Sequence, residues 1–236
     1  MLQNLIIGIP GMKGYGKSTY LKELVEDESS LVIVDTLGEH KEWCPECPGE
    51  SIREQVEMLA EPPERFRWSF MLNPSDSEAH LDYLCKAAYR AGGLTFVLEE
   101  ADYFSSANRD CEGMELLIRY GRHRGINLVW LCRNVVEVSR RLSSQTDVYV
   151  MFRTAEPLYI EKLAKRLSPE LALEIQSLPR FHYLICQPGQ TDEVVRGCTR
   201  GSTPDPNVSA SRTSDGGETR RREFAQGKTS PETQEE

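Results

Sequence analysis

The chain has 236 residues, of which 39% are hydrophobic and 28% charged, and its formal net charge is −9. This is the composition of a globular protein with a real core plus some polar chain, and it excludes a surface coated in basic residues for duplex DNA, although a few cations lining a ring or channel suffice to hold DNA locally. No apolar run approaches the roughly 18 residues that a membrane span needs, and the opening stretch MLQNLIIGIPG lacks the basic segment of a signal peptide, so no membrane insertion and a cytoplasmic location are expected.

Residues 5–9 (LIIGI) form an apolar run that ends at Pro10 and predicts a buried strand. The stretch 17–26 is helical in pattern, with Leu21, Leu24 and Val25 on one face. LVIVD (31–35) predicts a second buried strand ending in a carboxylate. Residues 36–50 are polar and rich in turn formers, hence a loop. A Ser-capped helix over 51–60 follows, then a strand within 65–72 and a helix over 75–92 closed by Gly92. LTFVLEEAD (94–102) predicts a buried strand followed by acids. Next come a helix over 111–125, a strand over 126–132, a helix from about 134 to 142, a strand over 147–152 and a helix from about 156 to 167. FHYLICQPG (181–189) and DEVVRG (192–197) predict a final pair of strands. Buried strands alternating with helices imply an α/β fold with a mainly parallel sheet and helices on both faces.

Residues 1–198 are read as one domain. From 199 to 236 large apolar residues almost vanish, and a segment that cannot bury surface to offset its ordering entropy is expected to be a disordered tail. The TRRRE run within it fits a solvated stretch better than a nucleic-acid contact. The seven cysteines are expected to be free thiols in an intracellular chain. Cys44 and Cys47 have the spacing of half a zinc site, but no second pair of ligands matches them, so the stretch is read as a plain loop.

The most informative stretch is Gly11-Met12-Lys13-Gly14-Tyr15-Gly16-Lys17-Ser18, followed by Thr19. It fits the pattern G-x-x-x-x-G-K-[ST], with the strand before and the helix after that the pattern requires. Glycines let the backbone curl so that several N–H groups converge on phosphate oxygens. The helix presents its positive end to the same anion. Lys17 is suited to the β and γ phosphates and the Ser18 hydroxyl to Mg2+. The expected ligand is therefore ATP with Mg2+, bound by residues 11–19. The second half of the chemistry is expected at Glu99 and Glu100. A carboxylate at a strand tip can hold the metal, and its neighbour can polarise the attacking water. A small-molecule kinase would need to exclude water, and no guanine-reading Asn-Lys-x-Asp stretch is present. ATP hydrolysis coupled to motion is the better reading.

VLEEADYF, LLIRYGRHRGINLVWLCRN and DVYVMFRTAEPLYIEKLAKRL, together with the glycine loop, resemble the FtsK/HerA superfamily of P-loop ATPases over roughly residues 4–190. The resemblance implies a P-loop NTPase fold of the additional-strand, catalytic-Glu type. It further implies that Gly11, Gly16, Lys17 and Ser18 take the phosphates and metal. Glu99 stands where the family usually has the metal-binding Asp, Glu100 where it has the catalytic Glu, and Asp35 at a common acidic position. Arg122, with Arg124 ranked second, falls where the family has an Arg that reaches a neighbouring subunit's nucleotide. Arg133 departs from the family, standing where a γ-phosphate-sensing Gln is usual, and its fork of donors can still meet phosphate or metal-bound water. Without the resemblance, arginines at 119, 122 and 124 simply suit a helix end. Arg140 and Arg141 either face a ring lumen and DNA or end a helix in solvent.

The implied function is an oligomeric, probable-hexamer ATPase that moves or packages double-stranded DNA, working with capsid or assembly proteins in a host cytoplasm or a virion. The alternative is a Zot-like ATPase that drives phage or protein assembly or secretion, which the acidic charge favours. A slow nucleotide switch is a third reading.

Overall fold

The computed structural model describes residues 4–72, 77–104, 110–188 and 190–199; apart from Thr199, the expected tail lies outside the described residues. Among these residues eight strands form one sheet: β1 (Ile6–Pro10), β2 (Ser30–Val34), β3 (Phe66–Phe70), β4 (Thr95–Leu98), β5 (Asn127–Cys132), β6 (Val148–Met151), β7 (His182–Gln187) and β8 (Gln190–Cys198). Their spatial order is β3-β2-β4-β5-β1-β6-β7-β8. The first six are mutually parallel, while β7 runs antiparallel to β6 and β8 antiparallel to β7. The helices are α1 (Lys17–Leu24), α2 (Ile52–Ala60), α3 (Ser77–Ala91), α4 (Ala101–Phe104), α5 (Glu112–Tyr120), α6 (Arg140–Ser144), α7 (Pro157–Arg166) and α8 (Pro169–Ser177).

The apolar runs form strands because both sides of the sheet are covered. In β5, Leu128, Trp130 and Cys132 enter one core, and Val129 and Leu131 enter the other. In β2, Val32 and Val34 part from Leu31 and Ile33 in the same way. Side chains that alternate between two buried faces leave no polar position in the run. The larger core takes Leu59 from α2, Leu84 from α3, Leu117 from α5, Leu163 from α7 and Ile175 from α8. The smaller core is closed by α1, through Tyr20, Leu21 and Val25, and by Cys44 with Trp43 from the 36–50 loop. Full burial of a residue such as Leu21 contributes about 1.5–3 kcal/mol.

Gly8 sets the spacing of β1 and β5. A Cβ there would stand 2.4 Å from the Trp130 ring, so only glycine lets the buried indole lie across β1. The indole N–H donates to Thr146 Oγ1 at 3.0 Å.

Four elements differ from the sequence reading, one of them the short helix α4, which stands where only acids after a strand were expected. The helix expected from about 134 to 142 begins only at Arg140, capped by Ser139 Oγ, which accepts the Leu142 N–H at 3.0 Å. Before it, the Asn134 side chain accepts the Val136 N–H at 3.1 Å, and Glu137 N–H bonds Asn134 O at 3.2 Å; such local bonds compete with helix. The helix expected through 125 stops at Tyr120 and continues as a 3-10 turn, Gly121–Arg124. Helix α8 was not foreseen, although Ser168 at its cap and Pro169 in its first turn are ordinary start signals.

Candidate functional site

The glycine loop leaves β1 with left-handed or otherwise positive φ at Gly11 (151°), Gly14 (78°) and Gly16 (106°). Two amides anchor it: Gly11 N–H donates to Cys132 O at 3.1 Å and Met12 N–H to Arg153 O at 2.8 Å. The loop is thereby tied to the tip of β5 and to the residue region just after β6. Behind it, Phe181 N–H donates to Tyr15 O at 2.9 Å. Arg153 Nη1 donates to the Tyr15 hydroxyl at 3.2 Å, and its guanidinium lies over the Tyr15 ring. Helix α1 begins with the bond from Tyr20 N–H to Gly16 O, 2.9 Å. The amides of Lys17, Ser18 and Thr19 therefore have no partner within the helix, which is the arrangement that receives an anion.

Lys17 folds back over the loop and donates from Nζ to Gly11 O at 2.6 Å and Met12 O at 3.1 Å. Burial lowers its pKa from the ordinary lysine range, with Arg133 acting in the same direction and Asp102 and Glu99 against it. Lys17 is thus already partly stripped of water at the mouth of a cavity of about 400 Å³. Its lining includes Gly16, Lys17 and Ser18 of the glycine loop and helix start, Phe181, and Glu99, Glu100 and Arg133.

The two acids beyond β4 have different surroundings. Glu99 is buried and meets His40 Nε2 at 2.8 Å. The contact is short but not aligned with the ring N–H, so it acts through charge rather than as a directed hydrogen bond. Burial opposes a charge on His40, but Glu99, with Asp35 and Glu39 nearby, outweighs it and raises the pKa above the usual imidazole value. Asp35, at the end of β2, shapes the turn that carries His40: its Oδ1 accepts the N–H groups of Leu37, Gly38 and Glu39, and its Oδ2 that of His40. Asp35, His40 and Glu99 offer ligand atoms within 4.8 Å of one another. With four amides on the Asp35 carboxylate, this trio serves the turn more than a chelate.

Glu100 has φ 49°, a conformation that a non-glycine residue adopts at a cost of about 1–3 kcal/mol. Its Oε1 pairs with Arg133 Nη2 at 2.6 Å, and its Oε2 accepts the Thr36 hydroxyl at 3.2 Å. Arg133 is positioned in turn by Asp102, whose Oδ2 accepts the backbone N–H groups of Arg133 and Asn134 at 3.0 and 3.1 Å. The structure therefore joins Lys17, Ser18, Glu99, Glu100 and Arg133 around one cavity.

Arg122 is elsewhere. It precedes β5, at the amino ends of the parallel strands, and Nη2 meets Asp147 Oδ1 at 3.2 Å. The six residues of β5 separate it from the cavity by about 20 Å, at about 3.3 Å per residue. Arg124 closes α3, donating to Tyr89 O at 3.2 Å and Arg90 O at 2.6 Å. Arg119 and Arg141 both contact Glu115. Cys44 and Cys47 are buried free thiols, pushed up to about 11 and about 12 by burial, and join no metal-ligating cluster among the described residues.

The sequence reading did not single out Thr36, His40, Asp102 or Phe181. Asp102 was visible as the third acid of EEAD, three residues beyond Glu99. Nothing in the spacing marks Phe181, which reaches the cavity through a turn, or His40, which reaches Glu99 through a loop.

Comparison with solved structures gives the fold. The genome-packaging NTPase B204 of Sulfolobus turreted icosahedral virus 2, in complex with ATP-gammaS, superposes with a TM-score of 0.68 at 20% identity, covering 83% of this chain and 98% of B204. B204 of Sulfolobus turreted icosahedral virus gives 0.66 at 18%, covering 83% and 98%. The bacterial conjugative coupling protein TrwBdeltaN70 gives 0.62 at 10%, covering 85% of this chain and 86% of that one. The chain shares the fold of these proteins, a mainly parallel sheet with helices on both faces. No protein-family model and no curated protein matches the sequence. No helix among the described residues is long and apolar enough to cross a membrane.

Proposed function

We propose that this chain is a Mg2+-dependent ATPase that assembles into a ring, a hexamer in the simplest case, and moves or packages double-stranded DNA, with a capsid as its destination. The carrying observation is the single cavity lined by Lys17 and Ser18 together with Glu99, Glu100 and Arg133. Residues 14–19 receive the phosphates. The Ser18 hydroxyl and the Glu99 carboxylate would hold Mg2+; both are hard oxygen donors of the kind it prefers. The ion would neutralise charge on the phosphates.

Glu100 is the base that orients and polarises the attacking water. In the resting chain it is restrained by Arg133 and Thr36. A γ phosphate offers Arg133 a more highly charged partner, so ATP frees the carboxylate and ADP does not. Arg122 lies too far from its own cavity to act there, which suits a role across a subunit boundary. Residues 1–198 form the motor domain and 199–236 a polar tail.

The test is ATP turnover at low salt with and without duplex DNA, because phosphate contacts weaken steeply with ionic strength. Stimulation by duplex DNA is expected, and Lys17→Ala should abolish turnover. Turnover that ignores DNA removes the translocase. It leaves an ATPase acting on a protein assembly partner, the reading that the net charge of −9 favours.

A further inference from the structure

We infer that Phe181 is the platform on which the base of the bound nucleotide stacks, an inference that rests on the nucleotide reading above. Phe181 has φ 66°. Glycine or asparagine serves such a position, and a bulky aromatic there is a genuine outlier. The conformation is fixed from both directions. Its N–H donates to Tyr15 O in the glycine loop at 2.9 Å, and its O accepts the Thr199 N–H at 3.0 Å. The backbone at 181 is therefore tied to the loop. The ring Cδ1 lies 2.9 Å from where a Cβ on Gly16 would stand. The residue nevertheless keeps 37% of its surface open and lines the cavity.

The sheet order gives the direction in which a nucleotide must lie. Glu99, Glu100 and Arg133 mark the terminal-phosphate end, at the tips of β4 and β5. The order β4-β5-β1-β6-β7 puts the residue just before β7 at the opposite end of this row, beyond the glycine loop. A triphosphate with its last phosphate at the acids runs its nucleoside back past Thr19 towards β6 and β7. There the open aromatic surface is Phe181. Every base has a π face, so stacking holds the nucleoside without reading hydrogen-bond groups. A purine, with the larger face, is held better.

The ring could instead only prop Gly16. Two ligands that differ in the nucleoside separate these roles: ATP-gammaS and inorganic tripolyphosphate, each with Mg2+, titrated calorimetrically into the full chain. Phe181→Ala and Phe181→Leu should both weaken ATP-gammaS by about tenfold or more and leave tripolyphosphate unchanged. Phe181→Trp should restore the wild-type difference. Leucine keeps bulk over Gly16, so its failure to rescue isolates the π face. Equal weakening of both ligands, rescue by leucine, or unchanged ATP-gammaS affinity would overturn the platform. A wild-type chain that binds neither ligand would instead overturn the nucleotide reading.

Discussion

The two edges of the sheet are built from similar residues in opposite ways. At the amino edge, polar groups are matched. Arg122 meets Asp147, whose other oxygen accepts the Ile6 N–H at 2.8 Å. Asn127 joins the Leu5 N–H to Thr95, and Thr95 donates to the buried Glu28. Arg124 closes α3. Positive φ at this edge falls on Gly92, Gly93 and Gly125 and, among non-glycine residues, on Asn4, a residue type that tolerates it. At the carboxyl edge, positive φ falls on Glu100 and Phe181, a buried carboxylate faces a buried imidazole, and a half-desolvated lysine rests on loop carbonyls. Strain and poorly hydrated charge persist where the surroundings over-determine them and a ligand can draw on them. The contrast is between an edge of matched polar groups and an edge that carries strain and poorly hydrated charge.

The contrast can be broken at both ends. The largest effect is expected from Glu100→Gln, which should keep ATP affinity and lower turnover by about 10⁴-fold, the upper range for a lost general base. Equal loss of binding and turnover would make Glu100 a phosphate or metal ligand instead. Arg122→Ala should lower turnover by about 10³-fold with nucleotide affinity of the single chain intact. Mixing it with Glu100→Gln should recover activity in part, because each variant supplies what the other lacks. No fall in turnover would make the amino edge purely structural. Arg133→Gln should cut the preference for ATP over ADP by about tenfold, measured as the ratio of their dissociation constants. An unchanged ratio would mean that the guanidinium does not sense the last phosphate. The smallest effect sharpens the contrast: Arg122→Ala should cost under about 1 kcal/mol in urea unfolding, since its ion pair is exposed.

Much of this was legible in the residues. Five of the six parallel strands announced themselves because burial on both faces removes polar positions from the run, while β3, with Arg67 and Ser69, showed only its aromatic content. The glycine loop announced itself because a curled backbone that runs directly into a helix leaves few residue choices. Glu99 and Glu100 followed from their place after an apolar strand. The start of α6 was not legible, because a side-chain bond from Asn134 outcompetes the helical pattern only once Asp102 has anchored its amide. His40 and Phe181 were hidden for another reason: segments without periodicity carry them, His40 to Glu99 and Phe181 to the cavity, and only the folded sheet brings those segments together. Arg133 was visible as a departure, but its pairing with Glu100 was not.

Gly8 extends the same logic to a site that no ligand touches. β1 carries the glycine loop at its end, and β5 carries Arg133 at its own; the Gly8–Trp130 contact is where these two strands are set against each other. Adding one methyl group at this hidden point would wedge the strands apart and retune the gap between the anchored loop and its guanidinium. The bare backbone at position 8 is in that sense the molecule's calibration screw.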